Sequence, residues 1–564
     1  MFSPKKPPIA FYLLLTGLLL LLLAPVSQGS EKFFPAEKIK PGMKGYGYTV
    51  FSGTKIEKFE VKFLDLIDSS FSREKMILVK LGGKEIEEHG GLSAGMSGSP
   101  VYIGDRLVGA ISYGFENADS SLALVTPIHL MLNLLNDSSE TLSCSGTRLK
   151  TVPIVTPVLV SGMHRRGYDL LTKLLEPYGL KTVYVPGRGT PDLEMGKDLI
   201  RPGSAVAVLM VAGDYQVSAI GTVTWIDGRN FLAFGHSYLN KGQVNYLAYQ
   251  AKINQTVKSP VMSFKIGSPL KLIGRITQDR QAGISGKLGE TPDLIPVRVI
   301  VKDEDRNLIK DSSFNVVEGD QFFPDFVVSG AVDAVDQTID RVGPGTARVA
   351  VSIATNASKN NISRQNIFFG KDIAVNCLKD LRDLMEIINS NDFQAVTIKN
   401  IRVNVDIKSE QTTARIFKLE AETRKVKPGD TLKLTARLHT YRGENLAVPL
   451  EIKIPGNVKP GKVSLTLYGG PRDSAQEDDS KKEPAKLEYK DVQSFEDILA
   501  NYYNKPLNNE LVLEYEPWVE QKFDESVQTD PDIQTETGKP IQQKTATRYY
   551  LLGEAQLNLE IVKP

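Results

Sequence analysis

Two short stretches hold the residues able to do covalent chemistry. Gly95-Met96-Ser97-Gly98-Ser99-Pro100 sets a serine between two glycines. A nucleophilic serine needs a tight turn that exposes its Oγ and aims nearby backbone N–H groups at one point, the future oxyanion. Gly95 and Gly98 supply that freedom, and the Gly95 and Ser97 amides are the expected oxyanion hole. The base must be one of five histidines, His89, His129, His164, His236 and His439. His236 ends the run IGTVTWIDGRNFLAFGHSYLNKG (220–242), which reads as a strand, a tight turn, an apolar strand and then Gly-His. A base at the end of a buried strand is held rigidly, as general-base catalysis requires. The others read as loop (His89), closing helix (His129), basic turn beside Arg165 and Arg166 (His164) and sandwich strand (His439). The plain alternatives are a glycine-rich β-turn at Ser97 and a satisfied structural histidine at 236.

Elements that position these residues can be read from period and punctuation. Tyr46–Phe51, Phe59–Ile67 and Met76–Leu81 read as short strands separated by Lys40-Pro41-Gly42 and Gly82-Gly83. After the serine come Val101-Tyr102, a Gly104-Asp105 turn, LVGAISYG (107–114) and an amphipathic helix over 126–135 with Pro127 near its start. Residues 136–150 are Ser/Thr-rich and read as a linker. Strands resume at 205–213, 218–226, 230–235 and 293–301. One helix starts after Asp372 and carries Leu378, Leu381, Leu384 and Ile388; residues 426–456 alternate like a β-sandwich. The 471–489 segment is charged and reads as a loop, succeeded by a short helix near Phe495–Tyr503 and a final strand pair over 548–562.

The serine stretch and the strands after it resemble the second barrel of chymotrypsin-like proteases, in which a serine turn leads to a strand, a turn, a substrate-binding strand and a helix. By that resemblance Ser112, Tyr113 and Gly114 would line the substrate strand. The hairpin ending in Gly-His is similar to the first barrel. Where those proteases carry an aspartate before the nucleophile, this chain has Met96, so no N-terminal salt bridge to that position is expected. GGLSAGMSGSPVYIGDRLVGAISYGF together with FLAFGHSYLNKG resembles the SpoIVB-type serine peptidases over roughly residues 40–330. The resemblance implies a secreted serine endopeptidase with narrow, regulatory substrate choice. Three departures stand out. The serine precedes the histidine, which implies a circular permutation; one triad geometry occurs in several chain orders. The acidic position about fifteen residues before the serine falls on Gly82-Gly83. Asp279, 43 residues after His236, is the candidate third member, with a surface turn at Asp279-Arg280 as the alternative. No PDZ domain precedes the peptidase part.

Composition narrows the rest. The 564 residues suggest three or four domains at about 150 residues each. A net charge of +1 argues against bulk attraction for nucleic acid. Two cysteines exclude a disulfide scaffold. No HExxH, P-loop or GxGxxG site is present, and Glu477-Asp478-Asp479 reads as solvated loop, so neither metal nor cofactor is expected. Lys5-Lys6, an apolar run and Ser27-Gln28-Gly29-Ser30 have the order of a secretory signal. An uncleaved anchor is the alternative, and either places the bulk of the chain outside the cytoplasm.

The expected fold is mainly β: a circularly permuted, chymotrypsin-like double β-barrel followed by a β-sandwich-like C-terminal region. The expected parts are a signal peptide (1–29), a serine-bearing barrel (30–140), a histidine-bearing barrel (141–335), a sandwich-like domain with one helix (336–470) and a loop with a β-rich end (471–564). The expected partner is a protein or peptide substrate, with an envelope or membrane protein engaged through 336–564. The competing expectation is a non-catalytic envelope scaffold on a degenerate protease fold.

Overall fold

Alternation of apolar and polar residues builds the first barrel. Phe59, Val61 and Phe63 are buried while Lys58, Glu60 and Lys62 point away from the interior, the period-two pattern of a strand with one face inward. The computed structural model describes residues 32–563 apart from 69–74, 116–118, 136–150, 154–156, 188–191, 197–199, 260–262, 457, 459, 471–491 and 517–540. The signal-peptide expectation, Cys144 and the charged 471–489 segment lie outside the described residues.

Six strands form this barrel: β1 (Lys44–Val50), β2 (Ile56–Asp68), β3 (Lys75–Gly82), β4 (Pro100–Ile103), β5 (Arg106–Phe115) and β6 (Leu122–Pro127). They pair in the order β4-β1-β2-β3-β6-β5, and β5 pairs back onto β4, which closes the ring. Phe63, Ile77, Val101 and Val125 fill its interior. The expected closing helix is present as a short α-helix, Ile128–Leu132, extended by a 3-10 turn to Leu135. A further strand, β7 (Thr151–Pro153), pairs with the end of β5.

The second barrel has β8 (Ala205–Gly213), β9 (Gln216–Asp227), β10 (Asn230–Ala233), β11 (Gly242–Val257), β12 (Ser263–Arg280) and β13 (Gly283–Leu288). The order β9-β10-β13-β12-β11-β8 returns to β9 and forms a second ring. The described residues are 54% strand and 16% helix, so the two rings set the architecture, a chymotrypsin-like double β-barrel with the serine barrel first in the chain.

Sheet pairing runs through the boundary expected near residue 335. That position falls inside the helix Phe323–Ile339, whose residues are almost all buried. β8 pairs with Leu308–Val317, which pairs with Leu294–Asp303; there Ile398–Lys408 joins in parallel, with Gly345–Thr355 and Ile362–Gly370 beyond it. Residues 345–408 therefore continue the sheet of the histidine barrel and share its core. The sandwich is made later, from Thr413 onward. A four-stranded and a five-stranded sheet face each other over Leu434, Leu438, Leu465, Leu513 and Leu559, and the final strands Tyr550–Leu552 and Glu554–Ile561 belong one to each sheet. Local pattern identified these strands one by one but carried no information on which sheet each joins, because parallel pairing of segments about a hundred residues apart leaves no short-range mark.

A chain ended at residue 335 loses Ile398–Lys408 and cuts a buried helix. It is expected to lack the cooperative thermal transition of the full chain, monitored by near-ultraviolet circular dichroism. A cooperative melt like that of the full chain would show that the histidine barrel is complete without the later strands.

Candidate active site

The serine turn is shaped by its glycines. Gly95 and Gly98 have φ of 95° and 92°, a region open to glycine and strained for other residues. A Cβ on Gly98 would lie 2.0 Å from the Thr222 carbonyl oxygen and 2.4 Å from the Phe234 nitrogen. The turn is thus seated directly against the backbone of the histidine hairpin. Every carbonyl of the turn is tied down. Thr222 Oγ1 donates to Gly95 O at 2.9 Å, Ser99 N to Met96 O at 2.9 Å, Thr222 N to Ser97 O at 2.8 Å and Thr224 Oγ1 to Gly98 O at 2.8 Å. The Met96 and Gly98 amides donate to Ser93 O and Ile111 O. The Ser97 amide, one of the two expected in the oxyanion hole, has no acceptor among the described residues.

His236 is delivered by a strained bend. Phe234 has φ of 70°, unusual for a bulky residue, and Gly235 N donates to Ala233 O at 2.9 Å, which makes Phe234 the centre of a γ-turn with positive φ. Gly235 also has φ of 70°. The bend ends β10 and turns the imidazole inward. The serine barrel holds this bend: Thr126 Oγ1 lies 2.7 Å from Gly235 O and 2.8 Å from Ser112 Oγ. Strain of this kind persists where surrounding structure fixes it, commonly at functional sites.

His236 Nδ1 lies 2.7 Å from the Ser237 carbonyl oxygen. A carbonyl only accepts, so Nδ1 carries the proton and Nε2 keeps a free lone pair, the tautomer a general base needs. Burial pulls the imidazole down to about 4, so it is neutral near pH 7. The other four histidines lie elsewhere. His89 stacks on Phe51 and lies 3.8 Å from Glu85, while His129, His164 and His439 are exposed. Ser97 Oγ and His236 Nε2 are both buried, and neither has a hydrogen-bond partner among the described residues. They are therefore not bonded to each other in this conformation. An unpaired buried polar atom costs about 1–3 kcal/mol, and Ser99 Oγ in the same turn and Tyr238 Oη in the loop after His236 share this state.

Asp279 is close to the site but takes a different place from the one expected of a third triad member. Its carboxylate accepts from Tyr238 N and Leu239 N, both at 2.7 Å, and makes no hydrogen bond to the His236 ring. Burial raises its pKa, against the lowering effect of the amides of residues 238–241. It fixes the loop after His236, while the ring itself is oriented by the Ser237 carbonyl. Asp320 supports the same loop, accepting from Lys241 Nζ at 3.3 Å and Tyr246 Oη at 2.8 Å.

The expected substrate strand is also differently employed. Ser112 is fully buried, with its Oγ donating to Leu124 O at 3.2 Å. The Tyr113 ring lies 6.0 Å from the His236 ring, and its Oη donates to Gln281 O at 3.4 Å. The edge of β5 at Tyr113–Phe115 is paired antiparallel with β7, Tyr113 opposite Pro153, Gly114 opposite Val152 and Phe115 opposite Thr151. The strand next to the histidine thus carries a short segment of its own chain. The sequence did not single out Thr126, Thr222 or Thr224, because hydroxyls on β-strands are common and nothing local says where they point. Among the described residues no group of three or more His, Cys, Asp or Glu is placed to hold a metal ion.

The buried neutral imidazole links stability to pH. Between about 4 and 6.5 the unfolded chain binds a proton at His236 that the folded chain refuses, so stability falls as pH falls through that range. His236→Gln removes this contribution. Between pH 7 and pH 5 the parent is expected to lose about 2 kcal/mol more than the variant, measured as urea unfolding free energies. Equal losses would show an imidazole that titrates normally.

Comparison with known proteins reaches only the serine-bearing segment. No curated protein and no solved structure matches the chain. A family model described as SpoIVB peptidase S55 matches residues 27–132. The match spans less than a fifth of the 564 residues. It contains the whole Ser97 turn and the strands of the first barrel, while His236 and Asp279 lie beyond it. The serine-bearing segment of this chain is therefore similar to the SpoIVB peptidase S55 family over residues 27–132.

Proposed function

We propose that the chain is an extracytoplasmic serine endopeptidase of narrow, regulatory specificity, with Ser97 as nucleophile and His236 as base. The observation that carries this reading is the pair of orphaned atoms, Ser97 Oγ and His236 Nε2, on two segments locked together backbone to backbone. Ser97 Oγ attacks the scissile carbonyl carbon while His236 Nε2 takes its proton. The Ser97 and Gly95 amides receive the oxyanion. The imidazolium then returns the proton to the leaving amine, and water repeats the cycle on the acyl-enzyme. Asp279 is a positioning residue, acting on the ring through the loop at 237–241. Substrate is protein or peptide, laid as an added strand along Tyr113–Phe115. The N-terminal address supports a location outside the cytoplasm, and an envelope partner would meet the region after 336.

A latent state is favoured by two observations. Ser97 and His236 are 0% and 2% exposed, and β7 lies where a substrate strand would pair. In this reading the chain holds its own segment at the peptide-binding edge until it is displaced.

The test is labelling of the full chain with a fluorophosphonate probe. Ser97→Ala is expected to abolish labelling, and His236→Ala to slow it by at least about 10³-fold. Replacing Thr151-Val152-Pro153 with Gly-Ser-Gly is expected to speed both labelling and hydrolysis of fluorescent casein. A folded chain that is not labelled, with or without that replacement, would sink the peptidase reading in favour of a binding scaffold.

A further inference from the structure

Lys265 lies on β12 and is only 2% exposed. Among the described residues it has no carboxylate partner; its amine meets two neutral oxygens, Thr49 Oγ1 at 2.8 Å and Gly95 O at 3.4 Å. A buried lysine without a counter-charge is costly to a fold. Burial alone pulls its amine down to about 7. A neutral amine has two N–H bonds, and the two contacts use both. Such a residue calls for a reason.

Its surroundings supply one. β12 pairs in parallel with Ser93-Ala94, the residues leading into the serine turn, Ser263 opposite Ser93 and Phe264 opposite Ala94. That register brings Lys265 beside Gly95, where a Cβ would lie 3.1 Å from both Cβ and Cδ of the lysine. The Gly95 carbonyl receives Lys265 Nζ and Thr222 Oγ1 together. Thr49 Oγ1 lies 3.4 Å from Thr222 Oγ1, so amine, two hydroxyls and carbonyl form one buried network. Met96 is fully buried and carries no charge that could anchor the turn from within.

We propose that Lys265 is a positioning residue of the active site, holding the Gly95 carbonyl inward so that the serine turn keeps the amide arrangement an oxyanion needs. A turn rich in glycine can rotate a peptide plane at little cost. Rotation of the Gly95 carbonyl toward the site would place an acceptor where donors are required. Lys265 opposes that rotation from the second barrel, and so couples the oxyanion hole to correct docking of the two barrels.

The role of Lys265 rests on the peptidase reading for its catalytic meaning, and the experiment separates the two. Lys265→Met keeps length and removes both donors. It is compared with the parent by thermal melting, by fluorophosphonate labelling rate and by amide hydrogen exchange of peptides covering residues 93–99. The expected result is a folded variant labelled roughly tenfold or more slowly, with faster exchange confined to the turn. A mere packing role would lower the melting temperature and leave the labelling rate of the folded chain alone. Should Lys265→Met not fold, Thr49→Val removes the partner that aims the amine and is expected to move both readouts the same way, to a smaller degree. A folded variant with parental exchange across 93–99 overturns the proposal. An unlabelled parent defeats the peptidase reading, and the exchange measurement then decides the role of Lys265 by itself.

Discussion

The docking of the serine turn onto β9 is the contact on which the rest depends. Thr222 gives its amide to Ser97 O and its hydroxyl to Gly95 O, and Thr224 gives its hydroxyl to Gly98 O. Three hydrogen bonds from two residues hold three residues of the opposite barrel. They do so in a fully buried setting, where losing one partner leaves the other unsatisfied. Close approach between the barrels is enforced at Gly98, where a Cβ would lie 2.0 Å from the Thr222 carbonyl oxygen. Each barrel thereby completes the other's functional segment. The histidine barrel shapes the serine turn, and through Thr126 the serine barrel secures the bend that carries His236.

This reciprocity explains the division of labour around the histidine. An imidazole needs one nitrogen protonated and the other free. Here the carbonyl of the next residue fixes the tautomer, so a carboxylate on the ring is not required for that purpose. Asp279 is left to gather the amides of the adjoining loop. What a carbonyl does not supply is a full negative charge that would favour an imidazolium. Burial already disfavours that cation. Both effects keep the buried ring neutral.

The serine turn was legible in the sequence because its requirement is local: positive φ at Gly95 and Gly98 is written as glycine. The same holds for His236, placed by a turn and an apolar strand, and for the strands of both rings, visible as alternation. Asp279 was legible as a candidate by spacing, yet spacing does not say whether a carboxylate reaches a ring or the backbone beside it. Lys265 was not legible at all. In Ser263-Phe264-Lys265-Ile266-Gly267 a lysine at an alternating position reads as a solvent-facing residue. Contacts from the first barrel, Ser93-Ala94 in parallel and Thr49 and Phe51 at its amine, bury it. Long-range pairing likewise decided that residues 345–408 complete the histidine barrel's sheet, while the sandwich begins only at Thr413.

That last arrangement bears on how the molecule comes into being. A ribosome delivers Ser97 early, when neither Thr222 nor Lys265 yet exists. The dock for its turn emerges much later, and the sheet that carries the dock gains its strand Ile398–Lys408 only after more than two-thirds of the chain has been made. Domains fold as units as they appear, so the serine turn waits unseated until the second barrel has been made. Chain order therefore acts as a timer: the serine turn is made first and seated last.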